Sequence, residues 1–236
     1  MKMDRSAGHI TMTRVKICGI TSPEDATQAA HAGADAIGLN FVAGPRKITP
    51  ESAAAIIPAL PPFCTPVALI NVDVNPLGDE LWNAIAQLGI RTVQLYGDEQ
   101  DEVVIPLVRE GFVPILVHRI VPDAFPGDLE TRINRFDSVA SLGVVVDTHD
   151  PVQLGGTGQT FDWNILDPAR LEHIAPCRLH VILAGGLNPS NVAAAVRIAK
   201  PWAVDVSSGV EDSPGRKCAE RMQAFVHAVR TSAAMA

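Results

Sequence analysis

Several side chains in this sequence have a type and a setting suited to proton transfer or to binding an anion. Cys18 closes the run Val15-Lys16-Ile17-Cys18, just before Gly19. A thiol near its reference pKa of about 8.5 is only a few per cent thiolate at neutral pH, and a nearby cation raises that fraction. Period-2 alternation puts the ammonium of Lys16 on the same face. Asp147 follows Val144-Val145-Val146, a carboxyl held at the rigid end of an apolar run, where burial can tune it into a general acid. Arg46, after Pro45 in a loop, offers a planar fork that matches a carboxylate bidentately. Ala184-Gly185-Gly186 and Ser207-Ser208-Gly209 combine glycines, whose N–H groups an anion can approach closely, with hydroxyl donors; that is the composition of a phosphate cradle. Each has a plainer reading: a packed core cysteine, an aspartate capping a loop, a solvated arginine, and two tight turns.

What unites these residues is the set of elements that would carry them. Apolar, strand-like runs occur at 15–18, 35–41, 66–71, 92–96, 113–118, 143–147, 179–184 and 203–207. Helical segments are expected near 23–32, 50–59, 76–89, 99–111, 127–141, 162–173, 189–199 and 214–233. Ser22-Pro23-Glu24-Asp25 reads as a helix start, Asn188-Pro189 repeats the device, and Asp162 can cap the segment after it. Gly33, Gly89 and Gly111 fall where helices should end. Eight β/α alternations predict a single-domain α/β fold, a (β/α)8 TIM barrel with a closed parallel sheet, with an open doubly wound sheet as the alternative. In such a barrel, sites form where strands end, and the loops after strands seven and eight hold phosphate. Cys18, Asp147, Ala184–Gly186 and Ser207–Gly209 fall at such ends, and Arg46 lies in the loop after strand two. Asp205 faces inward on strand eight, beside strand one, which predicts an ion pair with Lys16 beneath the site.

Composition excludes other classes. The 236 residues are 47% hydrophobic and 19% charged with a net charge of −7, as expected of a globular chain and unsuited to non-specific nucleic-acid binding. Aromatics are only 5%, too few for a base-stacking surface. Cysteines 18, 64, 177 and 218 form no CxxC pair, so neither disulfide nor zinc is expected, and a reducing, cytoplasmic setting follows. Cys64, Cys177 and Cys218 are expected simply to pack. No apolar run has the length of a membrane span, and residues 1–13, read as a flexible extension before a catalytic domain at 14–236, lack a signal-peptide core. His149 is read as a loop residue, and Gly155–Gly158 as part of a loop over the mouth.

Taken together, the motifs resemble those of the phosphoribosylanthranilate isomerase family. The resemblance rests on Lys16-Ile17-Cys18-Gly19-Ile20-Thr21, Gly33-Ala34-Asp35 with Pro45-Arg46, Val93-Gln94-Leu95 and Asp147-Thr148. It continues in Gly156-Thr157-Gly158 with Phe161-Asp162-Trp163, Ala184-Gly185-Gly186-Leu187 and Asp205-Val206-Ser207-Ser208-Gly209-Val210-Glu211. It implies that Cys18 is a general base, Asp147 a general acid and Arg46 the anchor of the anthranilate carboxylate, with phosphate at Gly185, Gly186, Ser207, Ser208 and Gly209. The reaction implied is an Amadori rearrangement of a phosphorylated sugar, needing no metal or other cofactor, in a monomer or homodimer. The family usually has histidine at the position of Tyr96, serine at Gly44 and aspartate at Cys218; Tyr96, with Gln94, is a candidate for positioning substrate. Other sugar-phosphate isomerase barrels, and a flavin- or phosphate-binding barrel without catalysis, are the competing readings.

Overall fold

The computed structural model describes residues 12–98, 100–120, 127–136, 142–148, 162–166 and 179–232. Expectations for the N-terminal residues 1–11, His149, Gly155–Gly158, Cys177 and the ends of the segments 127–141 and 162–173 lie outside them. Eight parallel strands close into a barrel in sequence order: β1 (Arg14–Cys18), β2 (Ala36–Asn40), β3 (Thr65–Asn71), β4 (Thr92–Tyr96), β5 (Val113–Ile120), β6 (Leu142–Thr148), β7 (Leu179–Leu183) and β8 (Ala203–Val206). Closure is made by β1, which pairs with β2 on one side and β8 on the other. Strand order β1 to β8 excludes the open-sheet alternative.

Alternation along the strands sorts the core into two layers. Outward residues such as Ile17, Ile37, Leu95 and Val144 pack with Ala29 of α1 (Pro23–Ala32), Ile85 of α3 (Glu80–Gln87) and Leu107 of α4 (Gln100–Arg109). Inward residues, among them Leu69, Val117, Val145 and Ile182, fill the barrel. Burial of each large aliphatic side chain contributes roughly 1.5–3 kcal/mol, and closure leaves no sheet edge for another chain to extend.

The inner layer also holds a charge. Lys16 is 4% exposed, and its Nζ donates to Asp205 Oδ2 at 2.7 Å and to Gln94 Oε1 at 3.0 Å. The expected pair therefore exists, and register explains it, because Lys16 and Asp205 are direct partners across β1 and β8.

Helix starts differ from expectation in instructive ways. Ser22 caps α1, accepting from the Asp25 N–H at 3.1 Å, and Gly33 ends it at φ 96°. The segment expected at 76–89 starts later, at Glu80, because Asp79 is the cap and accepts from the Leu81 N–H at 2.8 Å. Asn188 does not cap a helix; it accepts from the Ser190 N–H at 2.9 Å in a turn, and α6 (Val192–Ala199) starts beyond it. Pro58 limits α2 (Pro50–Ile56) to a shorter helix than 50–59, with a 3-10 turn following. Before α7 (Ala219–Ser232), part of the expected 214–233 helix is instead an antiparallel ribbon of β9 (Glu211–Ser213) and β10 (Arg216–Lys217). Pro214-Gly215 is the turn between them, with Gly215 at φ 84°. Cys64 packs as expected, whereas Cys218 is half-buried and its thiol donates to the Glu220 carboxylate.

Breaking a buried pair by removing one partner strands a charge, at a cost of about 3–5 kcal/mol. Lys16→Met should lower stability by that order in urea unfolding, and a second change, Asp205→Leu, should recover most of it. Equal stability of the single and double variants would show that the stranded carboxylate is not the cause.

Candidate active site

The C-terminal ends of the strands surround a cleft lined by Cys18, Asn40, Arg46, Tyr96, Asp147, Gly185, Gly186, Asp205, Ser207 and Ser208, among others. Cys18 reaches it as the last inward residue of β1, and room for the sulfur comes from β2. The register sets Gly38 opposite Cys18, and a Cβ on Gly38 would stand 2.6 Å from Cys18 Sγ. A glycine inside a strand signals such close approach, so Gly38 is a supporting residue the sequence reading missed. Asp147 reaches the same cleft from β6, half-buried.

Electrostatics around the thiol are opposed. Burial pushes Cys18 above its ordinary value, the Lys16 charge draws it down, and Asp205 pushes it up again. The net result is a thiol rather than a thiolate at neutral pH. Lys16 is held above its ordinary value: burial is the largest influence and would lower it, but Asp205, by charge and hydrogen bond, together with Cys18 outweighs it.

Arg46 lies against the cleft in a fixed pose. Its Nε and Nη2 each donate to the Glu211 carboxylate at 2.7 Å. This uses the side edge of the guanidinium and leaves the end edge, Nη1 with the second Nη2 hydrogen, oriented for another bidentate acceptor. Glu211 also accepts from Lys217 Nζ at 2.6 Å, and Lys217 donates to the Ser207 carbonyl at 3.2 Å. Burial works to raise Glu211, but its hydrogen bond with Arg46 and the charge of Lys217 hold it below the usual carboxylate range. Burial lowers Lys217. Glu211 and Lys217 are thus the residues that orient Arg46; the only sign of them in the sequence was Glu211 closing the Asp205–Glu211 motif.

Gly185 and Gly186 take φ of 86° and 63°, conformations open to glycine and rare for other residues. They form the lining with Ser207 and Ser208. Gly209 stands behind it, where a Cβ would collide with the Leu187 carbonyl. Gln94 lies buried beneath the cleft, and its Nε2 donates to the Tyr96 hydroxyl at 3.0 Å. Among the described residues, no group of three or more His, Cys, Asp or Glu is placed to hold a metal ion, and no helix is long and apolar enough to cross a membrane.

A closed eight-stranded β/α barrel with a thiol, a carboxyl, a fixed guanidinium and a glycine-serine loop pair around one mouth belongs to the class of barrel enzymes that work by acid–base chemistry on anionic substrates. Residues 15–228 match the N-(5'-phosphoribosyl)anthranilate isomerase family, and the chain belongs to that family. The isomerase of Trichlorobacter lovleyi is 42% identical over 217 residues, 91% of this chain and 97% of the relative. A phosphoribosylanthranilate isomerase crystallised with reduced 1-(o-carboxyphenylamino)-1-deoxyribulose 5-phosphate superposes with a TM-score of 0.74 at 30% identity, over 93% of this chain and 100% of that one. Monomers generated from the dimeric isomerase of Thermotoga maritima superpose with a TM-score of 0.73 at 29% identity, covering 93% and 100%.

The raised thiol has a direct consequence for reactivity. Alkylation of Cys18 by iodoacetamide, resolved from Cys218 by mass mapping, should accelerate about tenfold per pH unit from about pH 7 to about pH 9, because only the thiolate reacts. A rate already flat across that range would mean that Lys16 outweighs burial.

Proposed function

We propose that this chain converts N-(5-phosphoribosyl)anthranilate to 1-(2-carboxyphenylamino)-1-deoxyribulose 5-phosphate, with Cys18 as general base and Asp147 as general acid. The observation that carries this reading is that β1 and β6 deliver a thiol and a carboxyl to one cleft that Arg46 and the Gly185-Gly186 and Ser207-Ser208 loops also line. Phosphate at those loops and the anthranilate carboxylate on the end edge of Arg46 would stretch the sugar between acid and base.

The chemistry then runs in three proton movements. Asp147 protonates the ring oxygen as its bond to C1 breaks, and the nitrogen lone pair forms the protonated Schiff base. Cys18, having released its own proton to solvent as the cation forms, takes the proton from C2 as thiolate. The electron pair left behind forms the C1–C2 double bond of an enolamine while the C1–N π pair returns to nitrogen. The C2 hydroxyl finally gives up its proton as C1 gains one, leaving the ketone. Atoms and electrons balance with no co-reactant. The raised thiol fits this order: ring opening places a cation next to Cys18, and a neighbouring positive charge favours the thiolate. Residues 14–236 would act as one catalytic unit, and reduced cytoplasmic conditions would keep its base a free thiol.

Turnover of phosphoribosylanthranilate, made in situ from anthranilate and phosphoribosyl pyrophosphate by a coupling transferase, tests this by fluorescence decay. Cys18→Ala and Asp147→Asn should each lose about 10²–10⁴-fold in kcat, and Arg46→Ala should act largely through KM. Activity of a variant within about threefold of wild type, well short of the expected loss, would remove that residue from the mechanism.

The opposite end of the barrel supports a second copy of this chain as partner. Phe63 is 95% exposed at the rim of a cavity of about 360 Å³ that Val67, Val113, Ile115, Ile182 and Trp202 also line. Arg14, Asp35 and His180 line it as well, and a protruding ring beside such a hollow on one face is self-complementary under a two-fold axis. Phe63→Asp should convert a dimer to a monomer in light scattering; a wild-type monomer at working concentration would refute this.

A further inference from the structure

The hydrogen-bond chain beneath the cleft has a fixed direction. Lys16 carries donors only, so the Gln94 atom 3.0 Å from its Nζ must be the carbonyl Oε1. That turns Gln94 Nε2 toward Tyr96, to whose hydroxyl it donates at 3.0 Å. The Tyr96 oxygen is therefore an acceptor on the Gln94 side, and its own hydrogen is directed away from Gln94; Tyr96 itself is one of the residues lining the cleft. At the other end of the chain Asp205 gives Oδ2 to Lys16. Its Oδ1 is buried without a hydrogen-bond partner among the described residues, and Asp205 lines the same cleft. A buried carboxylate oxygen left without a donor is costly, and its residue forms part of the wall of the cleft.

One chain of side chains thus presents a donor and an acceptor to the cleft, both anchored on Lys16. Two hydroxyls of a sugar are the complement: one oxygen to accept from Tyr96, one hydrogen to give to Asp205. We propose that Tyr96 and Asp205 form a sugar-hydroxyl subsite, and that Lys16, through Gln94, sets the Tyr96 hydroxyl as its donor. The subsite rests on the isomerase reading and deepens it, because it assigns recognition of the pentose chain to groups distinct from the acid, the base and the two anion sites. It also gives Tyr96 a specificity role. Burial, with the charges of Cys18, Asp147 and Asp205 facing it, holds the phenol well above its usual range. The donor therefore stays protonated across the working pH range, which an imidazole would not.

The reduced product analogue, 1-(o-carboxyphenylamino)-1-deoxyribulose 5-phosphate in its reduced form, is the probe, with inorganic phosphate as control. Affinities are measured by calorimetry on the full chain, alongside melting temperatures. Tyr96→Phe should weaken analogue binding roughly three- to tenfold, the worth of one neutral hydrogen bond. Gln94→Glu should weaken it at least as much although the phenol is retained, because the introduced carboxylate accepts from both Lys16 and Tyr96 and so reverses the phenol. Inorganic phosphate should bind all three proteins alike. Unchanged analogue affinity in either variant overturns the subsite, as does a parallel loss of phosphate affinity, which would signal general distortion. A wild type that binds phosphate but not the analogue overturns the isomerase reading, and the subsite with it.

Discussion

An ammonium inside a barrel is tolerable only if its charge is answered at once, and the ion pair of Lys16 with Asp205 at 2.7 Å does this. The residues around the mouth inherit their positions from it. Lys16 sits one layer below Cys18 on the same face of β1, so the register that brings Lys16 to Asp205 also fixes the height of the thiol and its pairing with Gly38. The same ammonium orients the amide of Gln94 and, through it, the Tyr96 hydroxyl. A buried pair of this kind adds little net stability compared with an apolar pair. What it supplies here is direction: donors and acceptors at the floor of the cleft point one way only.

A second set of charges works at the rim on different terms. Glu211 binds Arg46 on one edge and Lys217 on another, so a single carboxylate holds two cations of which only Arg46 lines the cleft. Holding Arg46 by its side edge removes most of the rotamer freedom of a long side chain before any ligand arrives, which is the cost preorganisation spares at binding. The two arrangements divide the labour. Lys16 fixes neutral hydrogen-bonding groups at the floor of the cleft, and Glu211 fixes a cation at its rim.

Much of this was readable in the sequence, for identifiable reasons. Alternation is strict in β1, so the inward direction of Lys16 and Cys18 followed from period 2 alone, and closure of the barrel then placed Asp205 next to Lys16. Asp147, Gly185, Gly186, Ser207 and Ser208 were found because strand ends are positions that hydropathy marks well. What stayed hidden depends on contacts between distant segments. Nothing local says that Glu211 reaches back 165 residues to Arg46, that Gly38 makes room for the Cys18 sulfur, or that Gly209 is a packing glycine behind Leu187. The helix starts at Asp79 and at Asn191 were misplaced because Asn and Asp serve turns and caps with the same hydrogen bond, and hydropathy does not tell the two apart. The ribbon before α7 went unseen for a similar reason, its Pro214-Gly215 turn having been read as the start of a helix.

The account stands on proton transfer between C2 and C1 by groups of this cleft, and turnover in deuterium oxide tests that most directly. Unlabelled phosphoribosylanthranilate is converted to completion in D2O, and the product is analysed at C1 by NMR, with Cys18→Ala run beside the wild type. The account predicts deuterium at C1 in the wild-type product, because the hydrogen added there is drawn from groups that exchange with solvent, and no product above background from the variant. Complete conversion with no deuterium at C1, together with undiminished conversion by Cys18→Ala, would contradict it, since the hydrogen would then have moved directly between the two carbons without the thiol.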